Sequence, residues 1–219
     1  MGTRGSVGVI YNDEIKLAYN HFDSYPDGLG ADTLEIIAKI NEENGWEIFK
    51  KHAAQLKAVG DEITDPKMIE KYEKFADLNV SEQKFSDPYC LFREIQGADW
   101  IDEMYKGELQ DYLIDNKFIT ESLFCEYAYI INLDSMKFEF YDGFQKKQQK
   151  GNRFGEELCE GYYPCRLVGL FNLEVIDSDS VTTLVERMTD ILNSGKDDHS
   201  VTNYFRKPKM DAINEKSLE

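Results

Sequence analysis

Apolar positions follow two different periods along this chain. At the start, Val7, Val9 and Tyr11 alternate with Ser6, Gly8 and Ile10, and Ile15, Leu17 and Tyr19 alternate with Lys16 and Ala18. A period of two places successive side chains on opposite faces of a strand. Asn12-Asp13 tolerate positive φ, so the pattern predicts a tight hairpin. Residues 20–30 are dense in turn formers and read as a loop. The period then becomes helical. Leu34, Ile37 and Ala38 share a face behind an Asp32/Glu35 capping box, and Asn44-Gly45 ends that helix. Phe49, Ala53 and Leu56 predict a second helix from Trp46 to near Gly60. Asp65-Pro66 opens a third, through Ile69, Tyr72, Phe75 and Ala76. Residues 79–98 read as irregular. A fourth helix begins at Asp99 and turns Ile101, Met104 and Tyr105 inward.

The period of two returns at 124–141. Tyr127, Tyr129, Ile131 and Leu133 alternate, Asp134-Ser135 turns the chain, and Met136, Phe138 and Phe140 complete a second hairpin. Residues 142–164 read as a polar loop, Arg166 to Leu173 as a further strand, and Ser180 to Gly195 as a last helix carrying Leu184, Met188, Ile191 and Leu192. Strands grouped around short turns predict an α+β fold: an antiparallel sheet of two hairpins plus a further strand, with helices packed on it. Residues 1–195 form the single expected domain, and 196–219 a polar tail expected to be flexible.

Charge changes the functional picture more than the fold. Against 25 Lys and Arg stand 42 Asp and Glu, a net −17 over 219 residues. Such a chain is poorly suited to direct nucleic-acid binding, which depends on cations replacing counterions. The excess is concentrated in residues 61–120, with 15 acidic and 7 basic residues. Its densest block is Glu94, Asp99, Asp102, Glu103, Glu108, Asp111 and Asp115, an acidic-face candidate for a basic partner. Four cysteines without a Cys-x-x-Cys pair, and three scattered histidines, give no metal-site spacing, so neither metal nor cofactor is expected. No run of 18 apolar residues and no leader pattern occurs, which predicts a cytoplasmic chain without a membrane partner.

The densest cluster of functional groups lies in the first loop. Arg4, Asn20, His21, Asp23 and Tyr25 form the pocket candidate, with His21 and Asp23 as a base and its orienter if the strand runs on that far. Gly2-Thr3-Arg4-Gly5, Tyr19-Asn20-His21-Phe22-Asp23-Ser24-Tyr25-Pro26 and Leu29-Gly30 resemble the opening of an uncharacterised family found in phage and microbial genomes. That resemblance covers about the first 30 residues and brings no transferable function. A hairpin followed by Asn20 and Asp23 is also similar in layout to N-terminal nucleophile hydrolases, in which the first residue is a Cys, Ser or Thr activated by its own α-amine. Here Thr3 would serve only after two residues were removed.

Three functions fit these observations. The first is an acidic, phage-type interaction protein that blocks or modulates a host protein, for instance a nucleic-acid-binding or defence protein with a basic surface, in the host cytoplasm. The second is an N-terminal-nucleophile-like amide hydrolase or a degenerate relative. The third is a small-ligand or signalling-nucleotide binder, with aromatic stacking and Arg4, Arg153 or Arg166 on a phosphate. No catalytic set is recognisable.

Overall fold

The computed structural model describes residues 2–202, with side chains through Asp198. β1 (Gly5–Tyr11) and β2 (Glu14–Asn20) form the expected hairpin. Asn12 and Asp13 have φ of 54° and 61°, as a two-residue loop matched to strand twist requires. The Asp134 carboxylate accepts from both turn amides, at 2.8 and 2.9 Å, and ties the hairpin tip to the turn of the second hairpin.

A π-helical turn at Pro26–Gly30 then leads into α1 (Ala31–Glu42), followed by α2 (Trp46–Gln55), β3 (Lys57–Ala58), α3 (Pro66–Tyr72), α4 (Pro88–Leu91), α5 (Asp99–Lys106) and β4 (Asp111–Tyr112). The chain continues with β5 (Tyr127–Asn132), β6 (Lys137–Asp142), β7 (Arg166–Asn172), α6 (Val181–Ser194) and β8 (Asp198–Thr202). The main sheet has the order β2-β1-β5-β6-β7-β8, and β3 pairs with β4 in a separate two-stranded ladder. The α+β class is as expected, but the sheet is mixed: β1/β5 and β7/β8 are parallel. Short turns dictate antiparallel pairing only inside each hairpin. The long helical connections act as crossovers and return the chain in the same direction.

Other expectations also shift. Asp32 is not an N-cap, because the π-turn runs directly into α1 and Gly30 is already helical. Asp65 does cap α3, accepting from the Lys67 amide. The second helix stops at Gln55, where Leu56 becomes extended and the next two residues join β4. Residues 79–98 contain α4, capped by Asp87. Residues 198–202 of the expected tail add a strand, and 203–219 lie outside the described residues.

The sheet's two faces are covered differently. Against the helices lie Val7, Val9, Tyr129, Ile131, Phe138, Phe140 and Phe171, packed with Leu34, Ile37, Trp100, Met104 and Met188. Tyr129 stacks on Phe138 and Phe140 at 6.1 and 5.4 Å, each at 8°. The opposite face presents Ile10, Leu17, Ala128, Ile130 and Tyr141, closed over by Phe118, Ile119, Cys125 and Cys165. Among the described residues no helix is long and apolar enough to cross a membrane.

Candidate functional site

One end of the sheet collects the loop singled out from sequence. Gly5, at the start of β1, pairs with both Asn20 and Tyr127, and Tyr127 pairs with Asp142. The loop leaving β2 therefore lies beside the segment entering β1, the start of β5 and the end of β6.

Asn20 organises the loop. It is buried, and its amide donates to Ser24 Oγ at 2.8 Å and to the Phe22 carbonyl. The Ser24 amide donates to the Thr3 carbonyl, and the Tyr129 hydroxyl donates to the Ser24 carbonyl at 2.9 Å. Gly5 fits this crossing because a Cβ there would stand 2.5 Å from the Tyr127 carbonyl oxygen and 2.8 Å from Ser24 Cβ. Thr3, considered above as a nucleophile, is buried within this bracket.

The strand ends at Asn20 and Asp23 has φ of 53°, so the same-face relation expected of His21 and Asp23 is not formed. His21 Nδ1 instead lies 2.7 Å from the Tyr19 hydroxyl. Burial, then the Arg93 and Arg4 charges, push the His21 pKa down. Burial, then Tyr89, raise that of Tyr19. The Arg4 guanidinium lies over Phe124 at 4.8 Å, and its amide and carbonyl bond to Glu126. Phe22 is 53% exposed and Tyr25 47%, and Arg93 lies 5.7 Å above the Phe22 ring. A shallow cavity of about 300 Å³ is lined by Asn20, Phe22, Asp77, Arg93, Glu94 and Gln96. Phe144, 49% exposed, projects two residues beyond β6 at the same end.

Of the five pocket candidates, Arg4, Asn20, His21, Asp23 and Tyr25, only Asn20 lines this cavity, and it also serves as the internal bracket of the loop. The acidic block is dispersed. Asp102 accepts from Lys39 and Lys106 at 2.7 Å, Glu103 pairs with Lys106 at 2.7 Å, and Glu108 with Lys74 at 3.2 Å. Asp111 accepts from the Tyr72 hydroxyl, and Asp115 accepts from the amides of Lys117 and Phe118. Asp99 repels carboxylates from other segments instead. Burial first, then Glu35, Asp99 and Asp23, raise the pKa of Asp32; burial first, then Asp102, raise that of Asp99 against a smaller opposing pull from Lys106. Among the described residues no ion pair involves Asp23, Asp32, Glu35 or Asp99. Linear spacing gives no sign of this grouping, because its members come from a loop and two separate helices.

Two of the three arginines considered for phosphate are engaged. Arg153 pairs with Glu139, and Arg166 with Asp197 and Gln145. Among the described residues no cluster of three His, Cys, Asp or Glu is placed to hold a metal ion. No known protein family, curated protein or solved structure matches this chain.

Proposed function

We propose that this chain is a non-catalytic interaction protein that docks through the aromatic end of its sheet onto a partner surface rich in Lys and Arg. One observation carries the reading. Among the described residues, three of the six exposed large hydrophobic side chains, Phe22, Tyr25 and Phe144, belong to this end. Exposed aromatics grouped on one surface are the usual anchors of protein interfaces. The carboxylates of Asp23, Asp32 and Asp99, which form no ion pair among the described residues, supply the charge preference. A partner's cations would lie on the rings, as Arg93 already lies on Phe22, and relieve the repulsion between the carboxylates. The specific form suggested by the opening motif is a phage-type protein that occupies a basic, nucleic-acid-binding groove of a host or defence protein.

The test begins with capture of a partner from lysate by the wild-type chain, then titration of that purified partner. Phe22→Ala, Tyr25→Ala and Phe144→Ala combined should weaken binding at least about 100-fold with an unchanged circular dichroism spectrum. Binding should also weaken as salt rises. Wild-type affinity in the triple variant would refute this surface, and salt-insensitive binding would refute the basic partner.

A further inference from the structure

The end of β6 leaves an opening between its two neighbours. β5, β6 and β7 are adjacent, and at Gly143 the β6 chain turns away, its amide donating to the Glu126 carbonyl at 2.8 Å. A Cβ at Gly143 would stand 2.2 Å from the Cys125 carbonyl oxygen, so only glycine lets the chain leave so close to Cys125. Across this opening, Cys125, two residues before β5, meets Cys165, one residue before β7.

The two residues are fully buried free thiols in the same apolar cluster. Cys165 Sγ donates to the Cys125 carbonyl at 3.2 Å. Cys125 Sγ lies 3.7 Å from Ser6 Oγ and 3.5 Å from the Tyr127 carbonyl. The backbone holds both in place: the Cys125 amide donates to Glu121 and the Cys165 amide to Ile119, neighbouring positions of one covering segment. Burial, then the neighbouring Cys125, push the Cys165 pKa up. The other cysteines are separate. Cys90 Sγ donates to the Val80 carbonyl, outside the cluster that holds the pair, and Cys159 is half-buried in the loop.

We propose that Cys125 and Cys165 are a specific redox pair that closes to a disulfide when the chain meets a small-molecule disulfide such as oxidised glutathione. One thiolate attacks the small disulfide, forming a mixed disulfide and releasing one small thiol. The second thiolate then displaces the other small thiol and forms the Cys125–Cys165 bond. Two protein thiols are oxidised, and one small disulfide is reduced to two thiols that take up the two protons given up by Cys125 and Cys165. Both sulfurs are inaccessible in the folded chain, and a raised pKa keeps thiolate scarce. Closure therefore accompanies folding or local opening of the covering segment, and is slow on the intact fold. The linked residues are 40 apart in sequence, so the bond removes substantial freedom from the unfolded chain.

The experiment uses the full wild-type chain, unfolded with all thiols reduced and refolded in a reduced/oxidised glutathione mixture. Free thiols are then alkylated, and the chain is digested and mapped by mass spectrometry without reduction. The expected result is one dominant cross-linked peptide pair joining Cys125 to Cys165, with Cys90 and Cys159 alkylated or glutathionylated. The oxidised chain should melt roughly 5–10 °C above the reduced one. A Cys159→Ser variant should keep the same cross-link. Cys125 and Cys165 recovered as free thiols, or cross-links to Cys159 or Cys90 in comparable amounts, would overturn the proposal.

Discussion

The two faces of the sheet reach burial by different chemistry. The helix-covered face is almost wholly apolar. It is closed by elements that satisfy their own backbone bonds, so little but side-chain contact is needed there. The other face is covered by irregular segments, around 113–125 and 143–165, and a charge sits in its centre. Glu139 is 2% exposed, and its two oxygens accept from the Asn132 amide at 2.7 Å, the Tyr141 hydroxyl at 2.8 Å, and the Arg153 guanidinium through both terminal nitrogens. Arg153 lies in the middle of the long loop, so this network fixes that loop to the sheet. Loops lack a periodic apolar stripe to anchor them, and a fully bonded buried charge gives one defined docking position instead.

Removing contact area from the helix-covered face should give the largest effect. Phe138→Ala deletes a ring buried completely between Tyr129 and Phe171, and a loss of about 4 kcal/mol is expected in urea unfolding. A loss below about 1 kcal/mol would mean that this face is not the close-packed side.

Breaking the polar network should come next. Arg153→Met leaves Glu139 buried without its cation. The Arg153 side chain is 38% exposed, so water compensates in part, and a loss of about 2–3 kcal/mol is expected. The sharper test is the pair. Glu139→Leu combined with Arg153→Met should be less destabilising than Arg153→Met alone, because no orphaned charge remains. An additive double variant would show that the network acts through packing alone.

The helix-covered face carries one exception at its rim. Lys16 is buried, and its ammonium donates to the Ala53 carbonyl at 2.8 Å near the C-terminal end of α2 and pairs with Glu14 at 3.0 Å. Lys16→Met keeps the stem and removes the charge, so a loss of about 1 kcal/mol is expected in the same unfolding assay. No loss would reduce this lysine to a spacer.

The difference between the faces also explains what was legible in the sequence. Alternation identified the hairpins and the stripes holding Val7 and Val9, Tyr129, and Phe138 and Phe140, because regular elements bury regular stripes. The parallel β1/β5 pairing was not legible, because it depends on the path of a connection of more than a hundred residues. The loop network was equally hidden: Glu139 and Arg153 look like two ordinary charges until the loop folds back. At the candidate site, the Asn20–Tyr25 cluster was visible as composition. The Tyr19 partner of His21 was not, because the positive φ at Asp23 breaks the strand geometry on which the His21–Asp23 expectation rested. The acidic block shows what linear density leaves out. Folding brings Lys39, Lys74 and Lys106 to three of its members, Asp102, Glu103 and Glu108.

The smallest effect should come from the carboxylates that folding leaves unrelieved, and it has the opposite sign. Asp32 and Asp99 have folded pKa values above their unfolded ones, chiefly through burial and then through neighbouring carboxylates. The unfolded chain thus releases these protons more readily. Ionisation disfavours the fold at neutral pH, and the penalty disappears as pH falls below the unfolded carboxylate value. Asp32→Asn and Asp99→Asn should therefore each stabilise the chain at pH 7, by under about 1 kcal/mol because solvent screens half-exposed groups. The gain should fade as the pH is lowered through about 4. Melting curves of the variants at neutral and acid pH measure this directly. If the unrelieved charge is instead kept for a partner, the same substitutions should weaken partner binding and steepen no salt dependence, so stability and binding should move in opposite directions. A variant that loses both would return these residues to a purely structural role and leave the exposed aromatics as the whole of the contact surface.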